Sequence, residues 1–136
     1  SNSGGPGGIT TDSAFREGLT LPDLPETFAA TLRAAVPAEA AVANPLDLLA
    51  DAREERFALT LTEALKHAHE AFDAILMIHV VPFMVDPTPV VAKLAELAAA
   101  QYAGPRSLPI LHTMMGTLPQ REALFAVEIP EQPGSF

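Results

Sequence analysis

Residues 74–81 read Ala-Ile-Leu-Met-Ile-His-Val-Val, a nearly unbroken apolar run of strand length. A strand with one wet face alternates polar and apolar side chains. A continuous run points instead to a parallel strand covered on both faces. Residues 108–114, Leu-Pro-Ile-Leu-His-Thr-Met, repeat the pattern, and Gly116 closes it. Between the two runs Pro87 and Pro89 open a helix predicted to reach about Tyr102, with Gly104-Pro105 behind it. Two such strands joined by a helix form a βαβ unit, the building block of an α/β fold.

The same alternation extends upstream. A helix is predicted from about Arg53 to Glu70, with Phe57, Leu61 and Leu65 as its buried stripe. The Asn44-Pro45 turn precedes it, approached through Ala41-Val42. Asp23 or Pro25 starts an earlier helix whose apolar residues Phe28, Leu32 and Val36 fall four apart, and Pro37 stops it. Leu19–Leu21 reads as a short strand, and a first helix begins near Gly7 and ends at Gly18. Downstream, Leu118–Val127 is predicted to form a last helix. The expected fold is therefore α/β, with an open, mostly parallel sheet and helices on both faces. Ligands of such sheets sit past the carboxyl ends of the strands. That edge is where the segments 1–8, 81–87 and 113–117 belong. No strand precedes the opening glycines, so residues 1–136 read as a single domain, a fragment lacking its first strand.

Composition narrows the function. Hydrophobic residues make up 49% of the 136 and charged residues 18%, which indicates a filled core and not a disordered chain. The net charge of −9, without a run of Lys or Arg, argues against nucleic acid. An anion site on such a surface must rest on backbone donors more than on basic side chains. The absence of cysteine excludes a disulfide framework, a thiolate metal site and a Cys nucleophile, and it fits a cytoplasmic location. No apolar run is long enough to span a membrane.

Two places join a loop to a helix start, where free N–H groups and the helix dipole favour an anion. One is Ser1-Asn2-Ser3-Gly4-Gly5-Pro6-Gly7-Gly8, and the other is the stretch from Asn44 to Phe57. Gly4, Gly5 and Gly7 form either an anion-binding loop or a flexible leader in which Ser1-Asn2 is a cloning remnant. The stretch is neither a P-loop nor a dinucleotide fingerprint in good context. Asp47 and Asp51 flank the second junction, and on spacing Asp51 reads first as a simple N-cap. His67 and His69 are two apart on a helix and point apart. His79 and His112 lie in neighbouring strands, where core histidines satisfied by backbone are the common case. No metal site and no catalytic triad is expected.

The order and spacing of these segments resemble a known family. Residues 1–7 (Ser-Asn-Ser-Gly-Gly-Pro-Gly), 43–48 (Ala-Asn-Pro-Leu-Asp-Leu) and 51–57 (Asp-Ala-Arg-Glu-Glu-Arg-Phe) are similar to the third, flavodoxin-like domain of NDP-forming acyl-CoA synthetases. The strand-and-loop segments at 74–82 and 108–116 fit the same pattern. The resemblance covers about Ser1 to Ile129 and extends to the carboxyl-terminal domain of the succinyl-CoA synthetase β-subunit. It implies a flavodoxin-like, three-layer α/β/α fold within an acid–CoA ligase. The ligase would interconvert carboxylate, CoA and ATP with acyl-CoA, ADP and phosphate through a phosphohistidine.

In such enzymes the phosphohistidine domain, the CoA-binding domain and the ATP-grasp module are separate partners. CoA, ATP or ADP, and Mg are implied for the parent, none of them bound by this domain alone, which would have no turnover or catalytic residue of its own. The resemblance places phosphate binding at Gly4, Gly5, Gly7, Asp51, Ala52 and Arg53, with Asn44, Pro45 and Asp47 shaping the approach. Ala50 stands where a glycine is common and Arg53 where a threonine is usual. A second parent fits the same residues, an acetyltransferase fused to a synthetase-like region that senses ligands without turnover.

Overall fold

A computed structural model of the chain describes residues 1–104 and 107–116. Its elements are α1 (Gly4–Arg16), α2 (Glu26–Ala35), α3 (Glu54–Lys66), β1 (Ile75–Val80), α4 (Thr88–Tyr102) and β2 (Ile110–Met115). β1 and β2 pair in parallel, from Ile75 opposite Ile110 to Val80 opposite Met115, with α4 as the crossover. The fold is α/β with a parallel sheet, as the two apolar runs predict.

Side chains alternate along a strand, so Ile75, Met77 and His79 share one face of β1. That face meets α3 and α4. Phe57 and Leu61 of α3, Met77 of β1 and Val90 and Leu94 of α4 are all buried in one apolar cluster, closed by Leu48 and Ala52. A second cluster of Phe28, Leu32 and Ala64 ties α2 to α3. On the other face Leu76, Leu111 and Met115 are 45%, 56% and 52% exposed. Ile78 on that face is nonetheless buried at 5%, so among the described residues its cover is partial, where the apolar runs predict cover on both faces. The predicted helix at Leu118–Val127 lies outside the described residues.

Helix ends follow local chemistry. Gly18 has φ 77°, its N–H donates to Phe15 O, and the Leu19 N–H donates to Ala14 O. This is the paired closure of a Schellman motif, which needs a left-handed residue where glycine stands. The predicted strand Leu19–Leu21 does not form. Its first N–H is taken by that closure, and Pro22 can give no ladder hydrogen bond. α2 begins at Glu26 and ends before Val36, which is extended at φ −104° and ψ 159° as the residue before Pro37 requires. α3 stops at Lys66, short of the predicted Glu70, where the chain turns through His69 at φ 65°.

Candidate functional site

Three segments converge past the carboxyl end of β1. Asn2 is 1% exposed, and its side chain acts as a short stretch of neighbouring strand. Asn2 Nδ2 donates to Val80 O and Val80 N–H donates to Asn2 Oδ1, each at 2.8 Å. Ser1 is held next to it: its nitrogen donates to Leu46 O at 3.0 Å, and Leu48 N–H donates to Ser1 O at 2.8 Å. Ser1-Asn2 is thus a structural clamp between β1 and the segment around Asp47, not a loose remnant. Asparagine alone supplies both a donor and an acceptor in that space, and a lone Asn beside a glycine run carries no sequence signal of that role.

The segment from Ala41 to Ala52 positions the start of α3. Ala41 and Asp47 exchange backbone hydrogen bonds at 3.1 Å, and the Asn44–Pro45 peptide between them is cis. Asn44 Nδ2 donates to Pro22 O at 2.9 Å, and Asp47 Oδ1 accepts the Leu49 N–H at 3.0 Å. These bonds fix a compact turn ahead of α3. Leu48 and Ala52 anchor it by burial in the core.

The helix itself begins with Arg53 as N-cap, in extended conformation and without a side-chain capping bond. The simple reading of Asp51 as the cap is thereby corrected. Asp51 turns outward and accepts two hydrogen bonds from Arg56, at 2.8 and 3.3 Å. The Arg56 bond holds the Asp51 carboxyl below the usual carboxylate range. Arg56 also donates to Leu48 O at 2.6 Å, so the ion pair braces the turn. With no cap, the N–H groups of Glu54 and Glu55 have no hydrogen-bond partner among the described residues. Helix starts left open in this way attract negative charge.

In front of α3 lies a cavity of about 410 Å³ lined by Ala50, Ala52, Arg53, Glu54, Glu55, His79, Pro82, Val85, Asp86, Pro89 and Val90. It combines one cation, an open helix start, three carboxylates and apolar walls. Asp86 is already engaged, since its Oδ1 accepts the Thr88 N–H at the start of α4 and its carboxyl is held low by hydrogen bonding to Thr88. Asp51 lines a separate, shallower groove with Ala35, Arg53, Glu55, Arg56 and Leu59. Ala52 and Arg53 are therefore at the cavity, and Asp51 stands behind it.

The glycines are placed differently from a loop. Gly4, Gly5 and Gly7 form the first turns of α1, whose start also carries no side-chain cap. Gly7 is buried with the Pro45 ring 3.8 Å from where its Cβ would be, and a Cβ on Gly4 would lie 3.0 Å from Asp47 Oδ2. Gly4 and Gly7 let α1 approach the turn before α3, and none of the three glycines lines the cavity. His79 is the residue that the spacing under-reads. It sits 2% exposed in β1, borders the cavity, and stacks at 6.1 Å on His112 and at 5.1 Å against Phe57. Among the described residues its Nδ1 and His112 Nε2 have no hydrogen-bond partner, contrary to the expectation of core histidines satisfied by backbone. Among the described residues no group of three or more His, Cys, Asp or Glu is arranged to hold a metal ion, and no helix is long and apolar enough to cross a membrane.

No family model matches the chain. Among curated proteins, it is 39% identical over 88 residues to the alpha subunit of acetate–CoA ligase [ADP-forming] II from Pyrococcus furiosus, a match covering 65% of this chain and 19% of that subunit. Among solved structures, it superposes on PH0766 from Pyrococcus horikoshii OT3 with a TM-score of 0.75 and 30% identity, covering 85% of this chain and 26% of that one. The dinucleotide-forming acetyl-coenzyme A synthetase 1 of Ca. Korarchaeum cryptofilum matches with a TM-score of 0.73 and 28% identity, over 85% of this chain and 24% of that one. The same enzyme is also known in complex with phosphate and ADP. The chain spans about a fifth to a quarter of the length of these relatives. It belongs to the NDP-forming acyl-CoA synthetase family.

Proposed function

We propose that this chain is the part of an ADP-forming acyl-CoA ligase that holds the transferring phosphoryl group, with the start of α3 as its cradle. The observation that carries the proposal is the uncapped helix start, whose Glu54 and Glu55 amides have no partner among the described residues and lie beside an accessible cavity. Negative charge developing on a phosphoryl group is stabilised by such preorganised amides at no reorganisation cost. Arg53 adds a cation at the same mouth, in a place where the family usually has a hydroxyl. Ala52, buried at 5% exposure, sets the depth of the backbone there. Asp51 acts at one remove, by bracing Arg56 against the turn.

In this proposal the phosphohistidine, the CoA site and the nucleotide site with its Mg belong to other parts of the parent. This chain contributes geometry and electrostatics, and no bond-making side chain. Gly4 and Gly7 of α1 serve by close packing on Asp47 and Pro45, which holds the turn in front of α3.

The test uses the protein that carries this chain, incubated with γ-labelled ATP and assayed for an acid-labile, base-stable phosphoenzyme. Glu54 is the first residue of α3, where proline fits a helix and removes one amide donor. The preceding Arg53, at φ −107° and ψ −177°, already has the extended backbone that a following proline demands. Glu54→Pro should therefore lower the phosphoenzyme level in a folded protein, while Glu54→Ala, which keeps the amide, should not. Equal labelling of both variants and the wild type would refute the cradle.

A further inference from the structure

The outer edge of β1 carries backbone groups that its pairing with β2 does not use. Ile75 and Val81 donate their N–H groups to Pro109 O and Met115 O, each at 2.9 Å. Backbone groups alternate in direction along a strand, so Ile75, Met77, His79 and Val81 face β2, and Leu76, Ile78 and Val80 face the other way. On that outer side Val80 meets Asn2, whose side chain returns both bonds at 2.8 Å as a neighbouring strand would. The backbone groups of Leu76 and Ile78 have no hydrogen-bond partner among the described residues. Ile78 is only 5% exposed, and buried backbone N–H and C=O groups are almost always paired. No residue of β2 is buried to that degree.

Natural sheets protect an open edge with charge, proline or a bulge. β1 reads Ile-Leu-Met-Ile-His-Val, with no Lys, Arg, Asp, Glu or Pro, which suits an inner strand. Ser1 marks the line that a neighbour takes. Its nitrogen donates to Leu46 O and its carbonyl accepts from Leu48 N–H, the pattern of a parallel pair. Ser1-Asn2 is thus the last rung of a strand position between residues 46–48 and β1, and toward Ile75 no described residue continues it. We propose that this edge is a docking slot for one extended, apolar strand of the protein that carries this chain, running parallel to β1 and ending beside Ser1. Its backbone pairs with the N–H and C=O groups of Leu76 and Ile78. Its side chains alternate between the face of Met77 and the face of Ile78, both apolar, so the strand is apolar on both sides. The slot does not depend on what the start of α3 binds.

The experiment is residue-resolved hydrogen exchange on the protein that carries this chain. The Leu76 and Ile78 amides should exchange within about tenfold of the Met77 and His79 amides, which face β2. Leu76 is the sharper reporter, because at 45% exposure burial alone does not protect its amide. Free exchange at Leu76 and Ile78 beside protected Met77 and His79 would overturn the proposal. The occupant is identified with a photoreactive benzophenone side chain in place of Leu76. Its adduct should map to an apolar segment of the same molecule outside residues 1–136. An adduct confined to residues 1–136 means that this chain fills the slot itself, and one joining two molecules means that a second copy does. Either result sinks the proposal. The exchange measurement needs no substitution, so it decides whether the edge is paired even if the labelled protein does not fold.

Discussion

Acid should unfold this domain through His79 before it does so through its carboxylates. The folded pKa of His79 is lowered from 6.5 to about 4, mainly by burial and secondly by the neighbouring His112. A lowered histidine means that the unfolded chain binds the extra proton first, between about 6.5 and about 4. Stability must then fall as pH falls through that window and level off, for this group, below about 4. At about 1.4 kcal/mol per pH unit, the full loss is about 3 kcal/mol. That is a large part of the stability of an ordinary domain. His112 is lowered by burial in the same direction and adds to the slope. Asp51 and Asp86 are lowered too, but their stabilising contribution is lost only as pH falls below the ordinary carboxylate range, which separates the two causes. The perturbation is His79→Leu, assayed by urea unfolding at several pH values from 4 to 7. The wild type should lose stability steeply across the range, and the variant should show a much flatter profile and be no less stable at pH 4. Parallel profiles for the two proteins would refute the assignment of the acid sensitivity to this ring.

Three further outcomes follow from the packing. Asn2→Ala strips both partners from the Val80 peptide in a buried place, so the unfolding free energy should drop by about 2–4 kcal/mol in denaturant titration. Leu61→Ala removes a fully buried α3 side chain from the cluster that holds Phe57 and Met77, and the same assay should register a loss of about 2–5 kcal/mol. The glycines should behave unequally: Gly5→Ala meets nothing within 4 Å and should raise the thermal midpoint slightly through helix propensity, whereas Gly18→Ala forces a side chain into φ 77° and should lower it.

Much of this architecture was legible without coordinates. Residues 74–81 and 108–114 announced two strands because their apolar runs are long enough for a strand and too short for a buried helix. Phe57, Leu61 and Leu65 announced α3 because their spacing of four places them on one stripe. Prolines and glycines marked the ends, since Pro37, Gly18 and Gly116 act through their own backbone restrictions and need no distant partner. Leu19–Leu21 misled because its first N–H was already committed to closing α1, a bond visible only when the turn is built.

The candidate site divides along the same line. The sequence by itself determined that α3 would start after a proline turn, and hence that amides would be exposed somewhere near Asp51 to Arg53. Only the tertiary structure decided that Arg53 caps the helix, that Asp51 turns away to Arg56, and that Asn2 binds Val80 across 78 residues of chain. It also brought His79 to the same cavity, through the parallel register that sets β1 against β2 and under α3. Local signals report what each residue prefers within a few neighbours. The partner of a buried side chain, or its lack of one, is set by which segments the folded core forces together.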